Sequence, residues 1–193
     1  MEHLRVLNLL NVIFYVANLL WVLEFVFFRN KKRMGRFQEK KSFWFLIFAI
    51  SFVIISTIQL SANNWGTINT TDLYLVFQIL ALCLYWVGLG LRYLGSKALG
   101  ENFTRHVAVS RSMKLVSTGP YQYLRHPLYL GLFLITLGFP IYVGNWLALV
   151  IGLPLLVIGF SWRMKVEELA LTKIHPSYAQ WLKQRYRFIP FIY

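Results

Sequence analysis

Apolar residues along this chain are gathered into runs long enough to cross a bilayer, which takes about 20 residues at 1.5 Å rise each. Three runs qualify: Leu4 to Phe28, Phe43 to Ala62, and Leu73 to about Leu94, the last containing small residues such as Gly88 and Gly90. A fourth run, Leu128 to Trp162, is 35 residues without one charged side chain and carries GFPIYVGN at its middle. That is too long for one crossing. Gly138, Pro140, Gly144 and Asn145 break helices and form turns, so the pattern predicts a hairpin of two shortish helices. The expected fold is all-α: a polytopic membrane protein with five transmembrane helices, the last two a helical hairpin, and a C-terminal interfacial helix.

The polar stretches between the runs orient them. Arg29 to Lys41 holds seven Lys or Arg, and Gly95 to Arg125 holds Lys97, Arg105, Arg111, Lys114 and Arg125. ANNWGTINTTD and PIYVGN hold no Lys or Arg. The positive-inside rule then places the N-terminus outside and the basic loops and tail in the cytoplasm, as five crossings require. The tail reads as a helix through VEELALTKI, with Leu169 and Ile174 available for packing, followed by PSYAQWLKQRYRF at the membrane surface.

Composition agrees. The 193 residues are 58% hydrophobic and 18% aromatic, with seven acidic residues, far from an ordinary soluble domain. A net charge of +13 raises nucleic acid as a partner, but the basic residues lie in blocks between apolar spans, and no groove-reading motif accompanies them. One cysteine, Cys83, excludes an internal disulfide. The first apolar run is too long for a signal-peptide core and lacks a small-residue cleavage site, so it reads as a retained helix. The chain reads as one domain, residues 1–94 giving three helices and 95–193 a loop, the hairpin and the C-terminal helix.

Candidate chemistry gathers at one end of the last helices. Arg125 and His126 precede the hairpin, and Arg163, Glu167 and Glu168 follow it. A hairpin returns the chain to the side it left, so the two groups meet in space. On a continuing helix Arg163 and Glu167, four apart, share a face, whereas Glu168 points about 100° away. Each group also has a plainer reading. Arg125 and Arg163 are then snorkelling anchors; His126 is an N-cap ahead of Pro127; Glu168 is a surface partner of Lys165 or Lys173. Glu24 snorkels or pairs with Arg29, and Tyr121, Tyr123 and Tyr129 form an aromatic belt.

In order, MKLVSTGPYQYLRHPLYLG, an apolar hairpin, RMKVEELAL and YAQWLKQRYRFIPFIY resemble the isoprenylcysteine carboxyl methyltransferase family and its prokaryotic relatives. The resemblance covers roughly Leu94 to Tyr193; the first two spans match only in being hydrophobic. It implies an integral membrane methyltransferase that uses S-adenosyl-L-methionine, with a lipophilic or prenylated substrate arriving from the membrane lipid, and neither nucleic acid nor metal as a partner. Carried over by position, Met113, Lys114, Leu115 and Val116 contact the cofactor largely through backbone. Tyr121 flanks it, His126, Pro127, Leu128 and Tyr129 cradle it, Glu167 holds a polar part of it, and Arg163 is the catalytic and substrate-binding residue.

The residue types suit that cofactor: donors and acceptors for its amine, carboxylate and ribose, aromatic faces for adenine and a cationic sulfur. A carboxylate acceptor needs no base; a hydroxyl acceptor makes His126 or Glu167 the candidate base. HPSY after the Glu pair, at His175 and Pro176, departs from the Phe-Gly that the family often shows, and implies a changed helix turn. Other readings are a sterol-type reductase using NADPH, which shares Arg-His-Pro, a phospholipid N-methyltransferase, and a membrane scaffold without catalysis.

Overall fold

The computed structural model describes residues 2–27, 37–68, 71–100, 107–109, 115–175 and 177–189. In chain order these are α1 (Glu2–Phe27), β1 (Phe37–Glu39), α2 (Lys41–Ala62), α3 (Thr71–Leu99), β2 (Val107–Val109), a 3-10 turn (Gly119–Gln122), α4 (Pro127–Val143), α5 (Trp146–Ile174) and α6 (Tyr178–Lys183). Helix dominates because the apolar runs contain few residues that interrupt it, and because a helix satisfies its own backbone where water is absent. Among the described residues, α1, α2, α3 and α5 are long and apolar enough to cross a membrane, and α4 is a shorter apolar helix of 17 residues. The protein is thus a multi-pass, all-helical membrane protein; β1 and β2 form only a three-residue antiparallel ladder between the two basic loops.

The hairpin forms, but its turn is later than the sequence pattern suggests. Gly138 and Pro140 lie inside α4, and only Gly144 and Asn145 leave the helix. Gly144 adopts φ +73°, which favours glycine, and Asn145 caps α5 by accepting from the Ala148 amide at 2.9 Å. Pro140 is tolerated because its neighbours in the bundle, not water, surround the loosened turn. Nor are both limbs short: α5 runs 29 residues, through Pro154 and past Glu168. Likewise α3 does not stop near Leu94 but continues to Leu99.

Two apolar clusters hold the bundle. Leu46, Val53, Leu130, Phe133, Leu156 and Phe160 join α2, α4 and α5, and Phe188 of the C-terminal segment packs with them. Phe14, Ala81, Tyr85, Ile135 and Tyr142 join α1, α3 and α4. Helices α3 and α4 cross closely at Gly88 and Gly131, where an added Cβ would lie 2.7 and 2.6 Å from the other's carbonyl oxygen. Small residues at such a crossing maximise van der Waals contact, the main attraction between helices in lipid.

The bundle has two chemically distinct ends. The loop after α2 meets the α4–α5 turn through a Thr67–Asn145 bridge and an Ile68 to Gly144 hydrogen bond, so the two segments without Lys or Arg lie together. Lys41, Lys97, Arg125 and Arg163 mark the opposite end.

Candidate active site

Arg163, Tyr129 and Glu167 form one connected unit. Glu167 follows Arg163 by four residues on α5, so both side chains face α4, where Tyr129 stands in the first turn. The Arg163 Nε donates to the Tyr129 hydroxyl at 3.2 Å, and that hydroxyl donates to Glu167 Oε2 at 2.5 Å. Arg163 is only 1% exposed. Its Nη1 donates to Ser42 Oγ at 3.2 Å and its guanidinium lies 5.8 Å from the Phe43 ring, both at the start of α2. The snorkelling reading of Arg163 is therefore corrected: the helix carries it inward, and polar partners offset the loss of water.

His126 sits where Pro127 begins α4, but its side chain makes no capping hydrogen bond. Its Nε2 instead lies 3.2 Å from Glu168 Oε1, and its ring stacks near that of Tyr129, with centroids 5.5 Å apart. Glu168 is not a surface partner of Lys165 or Lys173. It faces Arg187 at 3.0 Å, His126 at 3.2 Å and Arg125 at 3.6 Å. The 100° separation of the two glutamates holds, and it directs Glu168 to a second cluster of cations rather than to solvent.

Tyr121, in the 3-10 turn, is buried, and burial followed by the nearby Glu167 carboxylate and Tyr129 keeps its phenol well above its ordinary pKa. Burial, then Glu167 and Glu168, acts the same way on Tyr178 of α6. Both remain neutral hydrogen-bonding phenols beside the acidic pair. Tyr123 by contrast is 66% exposed, so the aromatic-belt reading suits it and fails for Tyr121.

The C-terminal segment carries a helix, as expected, but a short one. After the six-residue α6 it runs back along residues 121–125: the Arg125 amide donates to the Tyr186 carbonyl and the Tyr186 amide to the Tyr123 carbonyl, at 2.8 and 2.9 Å. Arg185 donates to the Tyr121 carbonyl at 2.7 Å and lies 4.3 Å from the Trp181 ring. Trp181 donates to Ser117 Oγ, and Leu115, Ile174, Trp181 and Leu182 pack against the buried Ala170, Leu171 and Tyr178. Leu169 is exposed, so Ala170 and Leu171 take the packing role expected of it. His175 caps the C-terminal end of α5, with its amide bonded to the Leu171 carbonyl; Pro176, the other residue of the expected changed turn, lies outside the described residues.

The structure thus gathers Tyr121, His126, Pro127, Leu128, Tyr129, Arg163 and Glu167 at one end of the bundle. Leu115 packs against Ala170, Leu171 and Tyr178, Val116 is half-buried in the stretch before the 3-10 turn, and Met113 and Lys114 lie outside the described residues. Sequence reasoning missed Ser42, Phe43, Arg185 and Arg187, which no spacing rule links to the motif. It also missed Arg92, although an arginine within an apolar span is itself a signal. Glu24 is buried and pairs with Arg92; Arg29, the partner expected for it, lies outside the described residues.

Fold and site together define a class: a multi-pass helical membrane protein with a buried polar cluster of arginine, tyrosine and glutamate at one end. The family model for phospholipid methyltransferases matches residues 76–177, more than half of the chain, and the chain belongs to that family. It is 33% identical over 123 residues to the protein-S-isoprenylcysteine O-methyltransferase of Schizosaccharomyces pombe, a match covering 62% of this chain. The chain spans about half the length of that relative (52%). Its fold is similar to that of the eukaryotic intramembrane Ras methyltransferase, an isoprenylcysteine carboxyl methyltransferase. The TM-score is 0.63 at 20% identity, covering all of this chain and 68% of that one.

Proposed function

We propose that this protein is an S-adenosyl-L-methionine-dependent O-methyltransferase acting on a carboxylate of a lipophilic, isoprenylcysteine-like substrate that arrives from the bilayer. The observation that carries this reading is the Arg163–Tyr129–Glu167 unit. It puts a cation and an anion at the two ends of one short hydrogen-bonded chain, beside apolar helices. A guanidinium suits a carboxylate through a two-pronged hydrogen bond. A carboxylate suits an amine or a cationic sulfur, and the Tyr121, Tyr129 and Tyr178 rings near it suit adenine.

When bound, the cofactor supplies a methyl group on a cationic sulfur, which a carboxylate oxygen takes by in-line displacement with no proton to remove. The residues' work is therefore placement, where small errors are costly. Arg163 orients the acceptor; Tyr129 keeps Arg163 and Glu167 in register; Glu167 holds the positively charged part of the cofactor. Tyr121, His126, Pro127 and Leu128 wall the cofactor in, and the family resemblance assigns it further contacts from Met113 to Val116. The charge pattern supports a cytoplasmic active site, with the N-terminus outside.

Phospholipid N-methylation is the second reading, favoured by the family description. A buried arginine opposes it, since an amine acceptor has no use for one. The test is thermal stability of the detergent-purified protein with S-adenosylmethionine, its demethylated product or NADPH. The first two are expected to stabilise it; stabilisation by NADPH alone overturns the proposal. Labelled methyl recovered on a prenylcysteine acid supports O-methylation, and label on a phospholipid amine instead favours the second reading.

A further inference from the structure

The ion pair between Glu24 of α1 and Arg92 of α3 stands apart from the polar cluster, yet its contacts lead into it. Arg92 Nε and Nη2 donate to the two Glu24 oxygens at 2.5 and 2.7 Å, and both side chains are nearly inaccessible. Stability alone is a weak reason for such a pair, because apolar residues of similar volume often serve as well. The third guanidinium nitrogen, Nη1, donates to the Leu128 carbonyl at 3.3 Å. Leu128 is the second residue of α4 and precedes Tyr129. Gly131 makes room for this reach, since a Cβ there would lie 2.7 Å from Arg92 Cγ. The Tyr121 phenol also lies within the electrostatic field of Arg92.

We propose that Glu24 and Arg92 are positioning residues of the cofactor site: Arg92 fixes Leu128 and so the start of α4, and Glu24 cancels the charge that Arg92 brings beside a pocket for a cationic ligand. The inference rests on the cofactor reading above. Without Glu24, an uncompensated guanidinium would stand beside the start of α4 and would oppose a ligand carrying the sulfonium of S-adenosylmethionine, whereas S-adenosylhomocysteine has the same amine, carboxylate and nucleoside without that charge. The ratio of the two affinities therefore reports the charge role, which a merely structural ion pair would leave untouched.

Isothermal titration of both ligands into the detergent-purified full chain tests this. Failure of the wild-type protein to bind either ligand overturns the cofactor reading and this inference with it. Given wild-type binding, Glu24→Gln is expected to weaken S-adenosylmethionine several-fold more than S-adenosylhomocysteine; equal weakening overturns the charge role. The double variant Glu24→Gln/Arg92→Met leaves no net charge but removes the donor to Leu128, so both ligands should weaken together by about five- to tenfold. Wild-type affinities in that variant overturn the positioning role. Should Glu24→Gln not fold, Arg92→Lys keeps the charge pair and loses the fork. It is expected to weaken both ligands with their ratio unchanged, and undiminished affinity overturns the proposal.

Discussion

A carboxylate joined to a guanidinium through one phenol is held differently from a carboxylate facing two guanidiniums and an imidazole, and this separates Glu167 from its neighbour Glu168. Glu167→Gln keeps size and packing but removes the charge from the Arg163–Tyr129 unit. It is expected to weaken cofactor binding at least tenfold, by about 1.4 kcal/mol or more, with little change in melting temperature. Glu168→Ala leaves Arg125, His126 and Arg187 without their shared partner. It should cost about 2 kcal/mol of stability, read as an earlier thermal transition, before any effect on binding. Equal melting temperatures for the two variants would contradict this division. Arg163→Lys retains charge but loses the planar fork, and is expected to lower kcat/KM for a carboxylate acceptor about a hundredfold. An unchanged kcat/KM would remove Arg163 from acceptor binding.

At the scale of elements, α3 and α4 are aligned by their glycine crossing and α1 is aligned on α3 by polar pairs. Tyr85 and Arg92, seven residues apart on α3, meet Asn18 and Glu24 of α1. Tyr142 of α4 reaches Asn11, one further turn pair along α1. Gly131→Ala places a methyl group 2.6 Å from the Gly88 carbonyl and against Arg92, so the helices must part. A stability loss of about 1–3 kcal/mol is expected, typical of overpacking, measurable as faster thermal inactivation in detergent. Because the same crossing carries Leu128 and Tyr129, ligand affinity should fall with it. A Gly131→Ala protein as stable as the wild type would show that the crossing relaxes freely.

For the molecule as a whole, the C-terminal segment is the tie between the loop and the bundle. Phe188 packs among Phe133 and Phe160, Arg185 grips the Tyr121 carbonyl, and Arg187 reaches Glu168. Truncation after Gln184 removes all three contacts at once. The expected result is a protein whose helices still insert in the membrane but which no longer binds the cofactor, since residues 117–126 lose their cover. Full ligand affinity in the truncated protein would show that the loop holds its form unaided.

Hydrophobic run length by itself determined the membrane class and the helical hairpin, because backbone groups in lipid leave few alternatives to helices. The spacing of Arg163, Glu167 and Glu168 likewise determined their relative directions, since an unbroken helix turns 100° per residue. What lies opposite each direction is a matter of which helix packs there, and only the tertiary structure decided it. Tyr129 faces Glu167, while Arg187 and His126 face Glu168. The position of the hairpin turn was decided the same way, because Gly138 packs against Tyr85 and stays helical while Gly144 takes the left-handed conformation. Arg92 was visible as a charge in an apolar span, but its partner is 68 residues away in sequence. Contacts at that separation follow from packing, which residue spacing does not encode.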